Sequence, residues 1–351
     1  MIRVVLALLL LGAVPLAAQQ PSAAEVAFIY ELNRARANPQ AYDTANGLGG
    51  ILNGVAAQPP LAVNVDLCES ARVHSTDMAT NGYFAHTSPT LGAPNGMAIT
   101  AGYPLPYASS GNNIESLACV FTTGGSISYV GADALKALII DQGVNPPGHR
   151  YHLLAMQPFW ETHREIGTGY AEGAAPQAGY NAGAYWTIHT AERTGTDPVW
   201  ITGVVYNDLN SNGRYDLGEA LAGVNVSASG PGSPSVMTNA GGGYSLACSS
   251  GAWVVTCSGG GFSGTGTANV NLTTANVAVD FRSGIAQGDV GFVGGTTPPP
   301  GGGGGGGGDD EGGGGCAIGT TGARWLLGLA PFSMAAFLRR RRVFASARDS
   351  R

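Results

Sequence analysis

Two histidines far apart in the chain, His86 and His149, lie in the segments best suited to chemistry. The first sits in the stretch 70–92, SARVHSTDMATNGYFAHTSPTLG. Leu67, Ala71, His74 and Met78 recur at helical spacing and share one face, with Asp77 and Thr80 off it. Asn81-Gly82 ends that helix with a pair that tolerates a left-handed conformation. Tyr83-Phe84-Ala85-His86-Thr87-Ser88-Pro89 then sets an imidazole among aromatics and hydroxyls just before a turn. The second lies in Gly148-His149-Arg150, followed by Leu153-Leu154. No activated nucleophile is evident: Ser75 adjoins His74, but consecutive helix residues point in different directions.

A third constellation has different chemistry. Asp208-Leu209-Asn210-Ser211-Asn212-Gly213-Arg214-Tyr215-Asp216-Leu217-Gly218-Glu219 keeps the register of a calcium loop. Oxygen ligands would come from Asp208, Asn210, Asn212, the Arg214 carbonyl, Asp216 and Glu219, with Gly213 at the sharp turn and Tyr215 at the hydrophobic eighth position. Its flanks read as strands, which excludes a helix–loop–helix pair.

The elements that must position these residues follow from periodicity and punctuation. A helix is expected over Ala23–Ala37, with Glu25 in its first turn and Asn38-Pro39 stopping it. Leu61–Met78 gives a second helix after Pro59-Pro60, and Ala132–Ile140 a third. Gly92–Tyr107 reads as loop. Ile166–Tyr170 and Ala184–Thr190 read as strands, with Tyr185, Thr187 and His189 alternating against Trp186 and Ile188. Beyond Asp197, Val199–Tyr206, Gly243–Leu246 and Ala252–Thr256 alternate between Gly-Ser turns.

Length allows two or three domains, and 56 glycines in 351 residues imply that part of the chain is linker. A net charge of −6 excludes a general nucleic-acid binder, which needs a basic face. Arg3, the apolar run Val4–Leu11 and Leu16-Ala17-Ala18 make 1–18 a secretory signal peptide. At the other end, Pro298–Pro300 and Gly301–Gly315 cannot bury apolar surface and form a flexible tether. Cys316, the short apolar stretch Trp325–Leu338 and Arg339–Arg342 follow. That stretch is expected to be a short apolar helix, below the about 20 residues of a comfortable span.

Asn33-Arg34-Ala35-Arg36, the His86 segment, Gly148-His149-Arg150, Glu165-Ile166-Gly167-Thr168-Gly169 and Tyr185-Trp186-Thr187 together resemble the CAP superfamily of cysteine-rich secretory and pathogenesis-related proteins, in its bacterial branch. The resemblance implies an α+β fold: a CAP α-β-α sandwich over 23–194. Carried over residue by residue, it implies a cleft of His86, Asn112, Asp141 and His149. CAP proteins usually have Gly-Glu-Asn-Ile where this chain has Gly111-Asn112-Asn113-Ile114, so the ionisable group at that position is lost. Glu115, three residues on, is expected to point elsewhere, and His152, His163 and His189 to be structural. Residues 197–283 resemble the B-type, prealbumin-like calcium modules of bacterial surface adhesins, small β-sandwiches used as spacers. A linker over 284–315 and a tail over 316–351 resembling bacterial sorting tags complete the chain, with Cys316 the processing or lipid-attachment site. In an exported chain, pairing of Cys68 with Cys119 and of Cys248 with Cys257 is the expectation.

The reading that follows is a secreted protein, attached to the cell surface by its C-terminal tail or its processed Cys316. It would bind an extracellular ligand, a lipid or a protein, or hold Zn²⁺ or a similar divalent ion in the His-lined cleft, on a spacer stiffened by Ca²⁺. A sorting protease would be the tail's partner. Binding ranks above catalysis; a metal-assisted extracellular hydrolase is the alternative, and a non-catalytic adhesin the second alternative.

Overall fold

The computed structural model describes residues 20–195 and 198–291, together with the backbone of Arg324–Leu327. The chain opens with helix α1 (Ala23–Ala37), started by a capping box in which Ser22 and Glu25 satisfy each other's backbone amides. Asn38 then both ends α1 and caps α2 (Pro39–Asn46), accepting the Ala41 amide at 2.9 Å, with Pro39 at the tolerant first position. A pair that reads in sequence as a stop is thus a stop and a restart. Strand β1 (Ala62–Val63) precedes α3 (Val65–Asn81), which Asn64 caps and Gly82 ends with a φ of 63°. Helix α4 (Pro94–Thr100) occupies part of the expected loop. Strand β2 (Glu115–Thr122), α5 (Gly131–Ile140), α6 (Gly148–Leu153), β3 (Glu165–Gly173) and β4 (Ala182–Ala191) complete the first domain.

These strands form one sheet in the order β1-β3-β4-β2. Alternation along β4 sends Trp186 and Ile188 into a core with Phe28, Leu32, Leu135 and Leu138 of α1 and α5. It leaves Tyr185 on the other face, in a second core with Met78 of α3 and Leu117, Cys119 and Phe121 of β2. Helix α3 lies directly on β3: a Cβ built on Gly167 would fall 2.1 Å from the Cys68 amide nitrogen, and one on Gly169 would fall 2.2 Å from that of Arg72. The glycines of Gly-Thr-Gly are therefore the bed of α3, and they bring the His74 face of that helix onto the sheet.

The second domain has eight strands: β5 (Val199–Tyr206), β6 (Asn225–Ser229), β7 (Ser235–Met237), β8 (Gly243–Cys248), β9 (Gly251–Ser258), β10 (Thr265–Leu272), β11 (Val277–Arg282) and β12 (Asp289–Gly291). They make two four-stranded sheets, β10-β9-β6-β7 and β12-β11-β5-β8. Both sheets contribute to one core, with Val205, Val226, Leu246, Trp253, Val255 and Phe281 among its residues. Strand β12 carries this domain past Ser283, into the range expected to be linker. The domain is docked on α1: Val26 packs with Val204, Tyr206 and Tyr215, and Asn276 Nδ2 donates to the carbonyls of Pro60 (3.0 Å) and Arg164 (2.8 Å).

Two expectations are corrected. Cys68, Cys119, Cys248 and Cys257 are all buried and none is in a disulfide. Cys68 lies over Gly167 of β3, whereas Cys119 is on β2, two strands away across β4; strands about 4.8 Å apart put that pair beyond bridging distance. Cys248 and Cys257 stand on opposite sheets. Burial pushes the thiols of Cys68 and Cys257 up to about 12 and that of Cys248 up to about 11. The expected C-terminal apolar helix is contradicted where it can be compared: Arg324–Leu327 is a strand, β13, antiparallel to β2. The signal peptide, the Gly-rich tether, Cys316 and the rest of the tail lie outside the described residues. Among the described residues no helix is long and apolar enough to cross a membrane.

Candidate functional site

The start of β2 organises the site. Asn112 does not face an imidazole; its Oδ1 accepts the backbone amides of Ile114 (3.3 Å) and Glu115 (3.1 Å) and so turns the chain into the strand. That turn aims Glu115 inward, under α3. Its Oε1 accepts from His86 Nδ1 at 2.8 Å, and its Oε2 takes His74 Nδ1 at 2.6 Å and His189 Nε2 at 2.9 Å. Register explains the last contact, since Glu115 pairs directly with His189 across β2 and β4. The carboxylate expected to point elsewhere is the hub of the cluster.

Electrostatics follow from this enclosure. Burial works to raise the Glu115 carboxyl, but the charge of His74 and hydrogen bonds from His189, His74 and His86 overcome it and hold the group well below the usual carboxylate range. For His74 burial works the other way, yet the Glu115 charge and hydrogen bond, with Asp77 and the Ala85 carbonyl, leave its pKa raised. His189 is lowered, because burial outweighs its contact with Glu115. The cluster is therefore a buried ion pair of Glu115 with His74, to which His86 and His189 are hydrogen-bonded.

His86 owes its place to Asp77, one turn before the end of α3. The Asp77 carboxylate accepts Asn81 Nδ2 (2.7 Å), Ser88 Oγ (2.6 Å), Thr90 Oγ1 (2.9 Å) and the Tyr83 hydroxyl. These bonds bracket His86 on both sides. They also hold the Asp77 carboxyl below its ordinary value against the opposing effect of burial.

The second histidine is built the same way. Asp141 ends α5 at a φ of 52°. Its Oδ1 takes His149 Nδ1 at 2.7 Å and its Oδ2 takes the His149 amide at 2.9 Å. His149 Nε2 is buried and has no hydrogen-bond partner among the described residues. Glu115 reaches His86 on one face of β2, while its neighbour Ser116 reaches His152 Nδ1 at 2.7 Å on the other. His152 lies one turn beyond His149 on α6.

Residues 29–190 match the sequence model of CAP, the cysteine-rich secretory protein family. They form a CAP domain. The chain is also similar to the uncharacterized protein YkwD of Bacillus subtilis (strain 168), 30% identical over 128 residues, or 36% of this chain and 38% of that protein. A solved extracellular protein containing a SCP domain from Bacillus anthracis str. Ames is 18% identical and overlaps 48% of this chain and 41% of its own, with a TM-score of 0.28. The chain thus spans less than half the length of both.

Within the CAP domain the remaining histidines are internal. His152 Nε2 meets Thr190 Oγ1 at 2.6 Å and His163 Nδ1 meets the same oxygen at 2.7 Å. Burial lowers His163 to about 3 and His152 well below its ordinary value, so both are neutral. Asn33 ties α1 to the chain entering β1 through Leu61, donating at 3.0 Å and accepting at 2.8 Å. Ser70 Oγ meets His189 Nδ1 at 2.8 Å, completing a Ser–His–carboxylate string with Glu115. Ser70 is only 2% exposed and His189 and Glu115 are fully buried, so no substrate carbonyl reaches that hydroxyl. Ser75 is likewise consumed inside, by the Gly169 carbonyl and Thr187.

The Asp208–Glu219 loop is closed on itself. Asn210 Nδ2 and Asn212 Nδ2 converge on Asp216 Oδ2 at 2.8 and 2.7 Å. Asp208 accepts the amides of Asn212 and Gly213, each at 3.0 Å, and Gly213 has a φ of 73°. Buried Glu219 takes the amides of Leu209 and Asp216, both at 2.9 Å, and joins the loop's two ends. The Arg214 amide donates to Asn212 Oδ1 at 2.7 Å. A guanidinium already stands against the oxygens, Arg282 Nη1 lying 3.2 Å from Asp208 Oδ2.

Proposed function

We propose that this chain is a secreted, surface-attached protein whose CAP domain binds a divalent transition metal, or a ligand that carries one, between His86 and His149. One observation carries the reading: both imidazoles have Nδ1 engaged by a buried carboxylate, Glu115 at 2.8 Å and Asp141 at 2.7 Å. A carboxylate on one ring nitrogen fixes the tautomer, orients the ring and raises the basicity of the other nitrogen, which is the preparation a metal-binding imidazole needs. The donor set fits a borderline ion such as Zn²⁺. The Ser–His–carboxylate string, sealed in the core, disfavours a serine hydrolase. The family's secretory character and the apolar run after Arg3 support export. The tether, Cys316 and the arginine cluster support attachment through the C-terminus.

The second domain, on this reading, is a B-type module that takes Ca²⁺ on Asp208, Asn210, Asn212, the Arg214 carbonyl, Asp216 and Glu219, whose oxygens already attract a cation in Arg282. Its docking on α1 makes it a stand joined to the CAP domain rather than a swinging spacer. At calcium about 100 times its Kd the gain in stability is about 2.7 kcal/mol, read from melts with calcium and with chelator. Calorimetric titration with Zn²⁺ tests the main reading. Micromolar or tighter binding that is lost in His86→Ala with His149→Ala supports it, and unchanged affinity in that double variant rejects it.

A further inference from the structure

Beneath His86 the structure assembles a second set of donors. His74 comes from α3, Glu115 from β2 and His189 from β4, and one ring nitrogen of each histidine and a Glu115 oxygen all lie within 4.8 Å of one another. All three side chains are fully buried. Two imidazoles and one carboxylate are the donor set of a borderline divalent ion, and thiolate or all-oxygen chemistry is excluded at this spot.

The surroundings match that of a ligand shell. His189 is held by Ser70 Oγ on Nδ1, so that Nε2 faces the carboxylate. His74 faces it with Nδ1, and its buried Nε2 has no hydrogen-bond partner among the described residues. The oxygen of Glu115 not shared by these two is occupied by His86 Nδ1 at 2.8 Å. His189 and Glu115 thus each have one atom directed at the common point and the other fixed by a separate group, the arrangement that orients metal ligands. The spacings of 2.6 and 2.9 Å to Oε2 are those of hydrogen bonds. Donors about 2.0–2.1 Å from a tetrahedral ion stand about 3.3 Å apart, so each imidazole has to retreat by roughly half an ångström.

We propose that His74, Glu115 and His189 form an inner site for one zinc-class divalent ion, distinct from the His86/His149 position and coupled to it through the Glu115 carboxylate. The inner ion replaces the proton shared between His74 and Glu115. Being enclosed, it exchanges slowly and acts on structure. The inner site does not require the outer one to bind metal.

Metal content of the full-length secreted protein, produced with Zn²⁺ in the medium and dialysed against EDTA, tests this. Wild type and His86→Ala/His149→Ala are expected to keep close to one zinc per chain. His189→Gln, whose amide still donates to Glu115, is expected to keep none while remaining folded by circular dichroism. Folded wild type that retains no zinc overturns the proposal, as does equal retention in His189→Gln. Should His189→Gln fail to fold, X-ray absorption of the retained zinc in wild type decides instead: two imidazoles and carboxylate oxygen at about 2.0–2.1 Å support the site, and any other shell overturns it. Loss of exchangeable zinc binding in the cleft variant is read separately, by titration after dialysis, so the two sites stand or fall independently.

Discussion

Replacing Glu115 by glutamine removes the charge at the centre of the site while keeping its shape, and its cost follows from the contacts. The carboxylate accepts from three imidazoles and neutralises His74 in a region with no solvent access. Glutamine offers one acceptor oxygen and brings an amide NH₂ against an imidazole N–H, and it leaves His74 without a counter-charge. Breaking a buried pair on one side costs about 3–5 kcal/mol, a large share of the roughly 5–15 kcal/mol of a typical domain. The dependence on pH carries a sign. The His74 pKa is raised in the folded state, so its stabilisation is fully present below the unfolded value and is lost as pH rises through the folded one. The Glu115 pKa is depressed, so its share is present above the unfolded carboxyl value and is lost as pH falls through the folded one. In protein refolded without metal, the gap between wild type and Glu115→Gln in guanidinium unfolding is therefore widest at about pH 5–6.5 and narrows toward about pH 9. A gap below about 1 kcal/mol, or one of equal size at both pH values, refutes the buried ion pair.

Further outcomes follow from other contacts. Gly169→Ala drives a methyl group into the α3 backbone, 2.2 Å from the Arg72 nitrogen, and is expected to cost at least about 3 kcal/mol in the same unfolding assay; a loss under about 1 kcal/mol contradicts the bed of glycines beneath α3. Asp77→Ala frees the four groups that bracket His86 and is expected to weaken zinc binding by about ten-fold or more while the helices persist by circular dichroism, whereas unaltered affinity removes Asp77 from the site. Mass spectrometry of protein taken from the native cell surface is expected to find no peptide beyond Arg324 and a cut or modified Cys316; intact tail peptides in mature protein contradict the sorting reading.

Much of the fold was legible because helix periodicity and caps act locally. The helix over Ala23–Ala37, the buried face of Leu67, Ala71, His74 and Met78, and the alternation around Trp186 all stand as the pattern implies. Helices α2 and α4 were hidden because each begins with a proline, which reads equally well as a terminator. The site was half legible. His86, Asp141 and His149 could be placed by resemblance, but Glu115 could not. Its contacts depend on the register of β2 against β4, which sets it opposite His189, and on Asn112 turning the strand entry. A charged residue opening the apolar run Glu115-Ser116-Leu117-Ala118-Cys119-Val120-Phe121 was the available signal, since a carboxylate in such a strand needs a buried partner. The docking of Tyr215 beside Val26 links residues far apart in sequence, and no local pattern announces it.

A metal held by His86 and His149 is visible by anomalous scattering at the zinc edge from crystals soaked in Zn²⁺. A peak is expected about 2.0–2.1 Å from Nε2 of both His86 and His149, with Glu115 and Asp141 still on the Nδ1 side. Zinc bound elsewhere with no peak at these two nitrogens would contradict it.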